Sequence, residues 1–310
     1  MEKEADKIDI SVIMPSYNAA AFITQSIQSV KEQTLSQWEL IIVDDGSNDD
    51  TCKLIAPFLV DTRIKLLQQD HLGAARARNQ ALHRAKGEYI AFLDADDWWE
   101  PHFLQTMLKN SRDTGASISY CGWQRTGLAA NLCPRYVPPD YSEKGLVEAL
   151  MRENIWPIHA ALTQASLIKE LGGFNAQLPC CMDFDLWLRA SPDISVALVP
   201  EVLAYYRFHG DGQITSQKAR LVIVHLEVQL EFLKRRSDIA KRFSCEQIEN
   251  WTWERVRRKA YENFWRGNLN VSSPLFRYLL KQGKWKTKDL RHTIFSLFPV
   301  TLQKKLLVKA

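Results

Sequence analysis

The stretch Tyr89-Ile90-Ala91-Phe92-Leu93-Asp94-Ala95-Asp96-Asp97 constrains this chain more than any other, because a short apolar run ends there in a crowd of carboxylates. Its first half reads as a buried strand, and its end as that strand's carboxyl-side exit, the place where ligands collect in an open α/β sheet. Asp94 and Asp96 stand two apart, so an extended exit sends both side chains the same way, whereas a tight turn lets them share an ion. Acids this close repel one another unless a cation or hydrogen-bond donors compensate. Taken alone, the stretch also reads as an acidic surface turn.

The segments before it have the same grammar. Ile8 to Pro15 is β-branched and apolar, and Pro15, which brings no ladder donor, is expected to end the strand. Ser16-Tyr17-Asn18 turns the chain, with Asn18 or a polar neighbour able to cap a helix whose apolar face is Phe22, Ile23, Ile27 and Val30. Trp38 to Val43 is a second strand that also ends in acid, at Asp44-Asp45-Gly46-Ser47. A helix from Thr51 to Leu59, a strand from Ile64 to Leu67 and an Ala-rich helix opening at Gly73 follow. In that last helix Arg76 and Arg78 point differently, so at most one faces the ligand edge. Alternating strands and helices with short links make a mostly parallel α/β sheet the economical architecture. No Gly-x-Gly-x-x-Gly follows a strand and no Gly-x-x-x-x-Gly-Lys loop is present, so neither the dinucleotide fingerprint nor a P-loop is supported.

Beyond Pro101, a helix to about Asn110 and a strand from Ala116 to Trp123 precede a proline-bearing loop, Arg125 to Tyr141, that could shape a substrate entrance. A modest helix over Ser142–Met151, a strand near Ala160–Thr163 and a helix ending at Gly172-Gly173 come next. Asp183 and Asp185 open another helix, where either could serve as a base or simply favour the helix dipole. Val196–Pro200 and Leu203–Phe208 read as two short strands, the second leading to His209-Gly210-Asp211-Gly212, where the histidine is either structural or part of a divalent-metal site.

Charge is divided along the chain. Residues 211–310 carry 21 Lys and Arg against 9 Asp and Glu, whereas residues 1–210 are net acidic. The tail is helical in pattern, with Trp251, Trp253, Tyr261, Phe264 and Trp265 read as the packing face of a helical hairpin. Lys234-Arg235-Arg236 and whichever basic residues among those aromatics are exposed could touch anionic lipid, and Phe295 to Val300 could lie on a bilayer. The charged start, Met1 to Lys7, reads as no signal peptide, and no apolar run is long enough to cross a membrane. The six cysteines form no Cys-x-x-Cys pair and adjacent Cys180-Cys181 is a poor disulfide template, so a reducing cytoplasm is expected, with peripheral attachment to the inner face of the cell membrane.

Residues Ser11 to Asn18, Val43 to Ser47, Gly73 to Asn79, Phe92 to Asp97, Gly172-Gly173-Phe174, Asp183 to Arg189 and Tyr206 to His209 together resemble the inverting nucleotide-sugar glycosyltransferases of family two. The resemblance covers roughly residues 8–212 and implies the GT-A fold, a Rossmann-like sheet flanked by helices, over residues 1–214. Residues 215–310 then form a helical extension. It implies that Pro15 and Tyr17 line the nucleotide pocket, that Asp45 meets the base, commonly uracil, and that Asp44 braces the turn. Arg78 would face the nucleotide or its phosphates, Asp94 the ribose or the metal, and Asp96 with His209 a Mn²⁺ or Mg²⁺ ion.

Asp183 would be the general base, with Asp185 as its fallback, although family members often carry Glu-Asp where this chain has Met182-Asp183. Trp156, His159 and Asp185 are candidate acceptor contacts, Trp156 alternatively belonging to the core. The implied donor is a nucleotide-diphosphate sugar and the acceptor a saccharide, glycolipid or lipid-linked hydroxyl. A nucleotidyltransferase would need a triphosphate-cradling loop that Pro15-Ser16-Tyr17-Asn18 lacks. A nucleic-acid-binding module would leave the acidic front without a use.

Overall fold

The computed structural model describes residues 7–127, 134–143, 145–209 and 217–307. The chain divides into two compact units, residues 1–210 and 211–310. The expected boundary at residues 214 and 215, and the turn from Gly210 to Gly212, lie outside the described residues.

Apolar β-branched runs build the sheet of the first unit. In chain order it contains β1 (Ile10–Ser16), α1 (Ile23–Lys31), β2 (Trp38–Asp44), α2 (Thr51–Ile55), β3 (Ile64–Gln68), α3 (Ala74–Leu82) and β4 (Tyr89–Phe92). There follow β5 (Trp98–Trp99), α4 (Phe103–Thr114), β6 (Ile118–Gly127), α5 (Leu146–Arg152), β7 (Ala161–Gln164), α6 (Ala165–Glu170), α7 (Met182–Ala190) and β8 (Val196–Phe208). The strands form one mixed sheet in the order β3-β2-β1-β4-β7-β6-β8-β5. β1 is parallel to β2 on one side and to β4 on the other, so successive crossovers leave the sheet in opposite directions from it. β7 runs antiparallel to β4 and β6, and β5 antiparallel to β8, which gives the α/β fold expected of the resemblance its second half. The core follows from burial of Ile10, Val12, Leu40, Ile42, Ala91, Leu104 and their neighbours on both faces.

At the amino ends of the strands one buried acid ties three segments together. Glu39 accepts from the Ser11 hydroxyl at 2.7 Å, from Lys65 Nζ at 2.7 Å and from the Lys86 amide at 2.8 Å. Burial by itself would raise this carboxyl, and those three donors outweigh it and hold it below the usual range. Gly87 must be glycine at this clamp, since a Cβ there would stand 2.4 Å from the Ser11 amide nitrogen.

Several local expectations change. Pro15 does not end its strand: the pairing to β4 stops at Ile13, so at Pro15 only β2 remains alongside and the ladder to Val43 continues. Asn18 does not cap α1, whose cap residue is Phe22; its amide and its side chain instead meet Ser47 and Asn48. The two strands expected around Pro200 are one, because the register slips between Cys121 and Gly122 and the proline falls in that bulge. β6 runs to Gly127 and pairs through Trp123 with Tyr136, while residues 128–133 of the expected loop lie outside the described residues. The two-residue strand β5 carries too little pattern to be read in advance. The cysteines at 52, 121, 180, 181 and 245 are all free thiols.

The second unit is helical: α8 (Lys218–Arg235), α9 (Ser237–Ala240), α10 (Cys245–Trp251), α11 (Trp253–Trp265), α12 (Leu269–Lys281), α13 (Leu290–Leu297) and α14 (Val300–Leu307). Val222, Leu226, Trp253, Val256, Ala260, Leu275, Phe276 and Leu279 form its core. Trp251 and Trp253 are buried as expected of a packing face, whereas Trp265 is 73% exposed. Among the basic residues interleaved with those aromatics, Arg257 is not exposed but buried, and bonded to Asp289, itself fully buried. Arg235 and Arg236 are likewise engaged, by Glu231 and Asp238, so the 234–236 run offers less free charge than its sequence suggests.

Asp289 also accepts from Tyr261 Oη at 2.9 Å and the Lys286 amide at 2.8 Å. Burial would raise its carboxyl, but Arg257 and these donors dominate and depress it. Replacing it, Asp289→Asn, is expected to cost about 1–3 kcal/mol, because the buried guanidinium loses one carboxylate and keeps Glu254 and the Lys284 carbonyl, measured by urea unfolding. A depressed folded value makes this contribution complete above the unfolded carboxylate range and progressively lost as pH falls below about 4, through the folded value.

Candidate active site

The ends of β1, β2 and β4 converge where the sheet's crossovers diverge, and the acids there are each answered by a different element. Asp94 bonds the guanidinium of Arg78 from α3, and Arg78 is buried while Arg76 on the same helix is exposed. Asp96 lies 3.0 Å from His209 Nε2 at the end of β8. Asp97, fully buried, accepts the Arg207 amide at 2.8 Å, and His159 Nδ1 stands 3.1 Å from its other oxygen. The Asp96 carboxyl is raised by burial and then by the charge of Asp94, against the help of His209. Asp97 is raised further, by burial and by Asp96 and Asp94, and burial pushes His159 down to about 4. Sequence reasoning did not single out Arg207, whose Nε donates to the Asp96 carbonyl and whose guanidinium lies over Trp98 and Phe22.

A second cluster sits at the end of β2. The Asp45 carboxylate is almost fully buried and accepts from Gln69 Nε2 at 2.6 Å, from the Leu72 amide at 2.8 Å and from the Gly73 amide at 2.9 Å. His71 Nδ1 approaches the same carboxylate at 3.0 Å, and its ring stacks on Tyr17 with centroids 4.0 Å apart. Tyr17 and His71 are exposed, whereas Pro15 is buried in its strand. Asp44 accepts the Ser47 amide and hydroxyl, which is the bracing expected of it. His71 has no periodicity or motif to mark it, and only the fold brings it to Tyr17.

The start of α7 forms the opposite wall. Asp183 is partly exposed and accepts Asn154 Nδ2 at 2.9 Å. Burial raises its carboxyl above the usual range, opposed by the Phe184 amide, the Arg78 charge and Asn154. Met182 is buried with its sulfur 3.1 Å from Arg78 Nη1. Asp185 is not turned to a ligand: it holds Arg189 Nε at 2.8 Å, and Arg189 donates to the Leu171 and Gly173 carbonyls at 2.8 Å each. In this structure its carboxylate is engaged by Arg189. Trp156 and His159 are each 1% exposed, Trp156 stacked on Tyr120, so neither offers a surface to a sugar in this structure. The Ala-Arg-Asn segment splits its labour, with Asn79 exchanging two hydrogen bonds with the Phe174 backbone, at 2.8 and 2.9 Å.

Among the described residues no group of three or more His, Cys, Asp and Glu side chains is arranged to hold a metal. Asp96 and His209 nevertheless offer one carboxylate and one imidazole side by side, next to a second, partly exposed carboxylate at Asp94. Mg²⁺ and Mn²⁺ suit such sparse sites when a ligand's phosphates complete the coordination, and a cation would offset both the burial and the Asp94 charge that raise Asp96.

Comparison with known proteins gives a match to the model of glycosyl transferase family 2 over residues 11–170. Among curated proteins, UDP-Glc:alpha-D-GlcNAc-diphosphoundecaprenol beta-1,3-glucosyltransferase WfgD of Escherichia coli is 50% identical over 116 residues, 37% of this chain and 46% of that protein. The matched stretch spans less than half the length of each of the first curated relatives. Among solved structures, S. aureus TarS 1–349 aligns with TM-score 0.61 at 17% identity, over 87% of this chain and 80% of that one. The mannosyltransferase PcManGT from Pyrobaculum calidifontis, solved with GDP-Man and Mn2+, aligns with TM-score 0.58 at 18% identity, over 97% and 85%. At such identities the structural likeness is one of fold.

The two anchors beneath α7 have a measurable cost. Asn79→Ala, which strands the Phe174 amide and carbonyl, is expected to destabilise the first unit by about 1–3 kcal/mol in denaturant titration.

Proposed function

Because the chain belongs to glycosyl transferase family 2, we propose that it moves a sugar from a nucleotide diphosphate to an acceptor hydroxyl with inversion. The observation that carries this reading is the single electrostatic cluster in which Arg78 joins Asp94 on one side and faces the Met182–Asp183 helix start on the other. Acids for a cation, a buried arginine for phosphate charge and a raised carboxyl across from them are the parts that a one-step displacement needs.

In this reading Tyr17 offers its exposed ring to the base, beside Asp45. His71 now occupies that place, stacked on Tyr17 and close to the Asp45 carboxylate, so a base would take over contacts that the imidazole makes in the free protein. A uridine donor is favoured by the UDP-Glc in the name of the Escherichia coli relative. Arg78 would lie against the diphosphate, and Asp94 would trade its bond to Arg78 for the ribose or the cation. Asp96 and His209 would hold Mn²⁺ or Mg²⁺, whose charge offsets the leaving diphosphate; the Mn2+ in the Pyrobaculum structure is in keeping with this choice.

Asp183 takes the proton from the attacking hydroxyl. Its raised carboxyl is a better proton acceptor than an ordinary aspartate, and Asn154 and the Phe184 amide hold it in place at the start of α7. Inversion follows if the hydroxyl attacks opposite the departing phosphate, with no covalent enzyme intermediate. Envelope polysaccharide or glycolipid synthesis is the context the diphosphoundecaprenol relative supports. A lipid-linked acceptor would make this a peripheral protein on the inner face of the cell membrane.

Asp183→Asn is expected to lower kcat by about 10²–10⁴-fold while calorimetry still records donor binding; near-normal turnover would remove Asp183 from the reaction. In the unsubstituted enzyme the rate should fall as acid protonates Asp183, with the limb displaced above the ordinary carboxylate range because its folded value is raised. A calorimetric screen of uridine, guanosine, thymidine and cytidine diphosphates, with and without Mn²⁺, should show metal-dependent binding that Asp96→Ala weakens. Binding to none of the four would sink the transfer reading.

A further inference from the structure

The last two helices are inside out. On α13 and α14 the buried side chains are the polar ones: Thr293, Ser296 and Gln303 are each 3% exposed or less. Two of them are bonded locally, with Ser296 donating to the Thr293 carbonyl at 2.6 Å, and Gln303 donating to the Phe298 carbonyl at 2.7 Å and accepting from Ser273 at 2.6 Å. The large apolar side chains point outward instead. Leu290, Ile294 and Leu297 recur at helical spacing on α13, and Leu302 and Leu306 do so on α14, with Phe298 between them; each is 40–58% exposed. Water penalises such an arrangement, and a run of exposed apolar side chains on consecutive helices marks an interaction surface.

The charge around this face says what covers it. From residue 277 to residue 307 the charged side chains are Arg277, Lys281, Lys284, Lys286, Lys288, Arg291, Lys304 and Lys305, against a single acid, Asp289. Asp289 is fully buried on Arg257, so every charge this stretch shows to solvent is positive. Lys284 and Lys286 reach Glu249 and Glu254, while Lys281, Lys288, Arg291, Lys304 and Lys305 make no ion pair among the described residues. Trp265, 73% exposed, lies against His292 of α13 and adds an aromatic of the kind that settles at headgroup depth. A second copy of this face would bring like charges together, and a nucleic acid would leave the leucines in water. Apolar stripes two helices long, ringed by unpaired lysine and arginine, match the boundary between acyl chains and anionic headgroups.

We propose that α13 and α14 form a membrane-docking surface that lies in the plane of an anionic lipid leaflet, with Leu290, Ile294, Leu297, Phe298, Leu302 and Leu306 inserted and the basic residues on the headgroups. This deepens the peripheral placement above, and it moves the contact away from Lys234-Arg235-Arg236, where Arg235 and Arg236 have acidic partners of their own. The surface depends on no sugar, nucleotide or metal.

Cosedimentation of the full chain with vesicles of phosphatidylglycerol in phosphatidylcholine, and with pure phosphatidylcholine vesicles, tests it. Binding to the anionic vesicles alone is expected, weakened by salt. Lys304→Gln with Lys305→Gln should reduce partitioning by about tenfold to thirtyfold. Ile294→Ser with Leu297→Ser should reduce it at least as much, at exposed positions whose loss leaves the buried core intact. The surface is overturned if the unsubstituted chain stays in the supernatant, if both pairs of substitutions leave partitioning unchanged, or if light scattering shows a dimer that Ile294→Ser with Leu297→Ser dissolves. Nucleoside diphosphate binding is measured separately, so loss of vesicle binding and loss of the transfer reading are told apart.

Discussion

Mutual repulsion among the carboxylates at the exit of β4 is the constraint on which the first unit depends. Asp94, Asp96 and Asp97 cannot stand together as bare charges in a half-buried turn, and each is met by a group from another part of the chain. Arg78 comes from α3, His209 and the Arg207 amide from the far end of β8, and His159 from the segment before β7. Compensating the acids therefore requires the sheet to be complete. A ligand that brings a cation and phosphate charge to the same place meets groups already held against one another, which need only exchange partners.

Behind that surface lies a set of anchors bonded to the protein's own backbone and side chains. Asn79 holds the Phe174 backbone, Arg189 holds the Leu171 and Gly173 carbonyls, and Asp185 fixes Arg189. Gly173 lies so close that a Cβ there would stand 2.7 Å from Asn79 Oδ1. These contacts place the start of α7, and with it Asp183, across from Arg78. A motif read in sequence as one functional block is thus half chemistry and half carpentry, since neighbours on a helix point to different partners.

Local pattern was informative wherever burial alone decides structure. The strands β1 to β4 and their helices were legible because apolar β-branched runs and helical spacing leave few alternatives; two-residue spacing on a helix said that at most one of Arg76 and Arg78 faces the ligand edge, and the resemblance chose Arg78. For Asp185, Trp156 and His159 sequence left more than one role open, because nothing local tells an acid that holds an arginine from one that faces a cleft, or a buried ring from a sugar-stacking one. Which basic residues of α11 are exposed was likewise not legible, since the buried partner of Arg257 lies 32 residues on at Asp289.

What the sequence determined by itself is the class of fold, the acidic character of the sheet's ligand edge and the division between an acidic front and a basic tail, since these follow from composition and short-range periodicity. What only the tertiary structure decided is which charges are spent. It set Arg78 on Asp94, His209 on Asp96 and Arg257 on Asp289, stacked His71 on Tyr17, and turned the leucines of α13 and α14 outward over buried serine, threonine and glutamine. Pairings of this kind join residues far apart in the chain. Their energies depend on distance and burial, which no spacing along a sequence encodes.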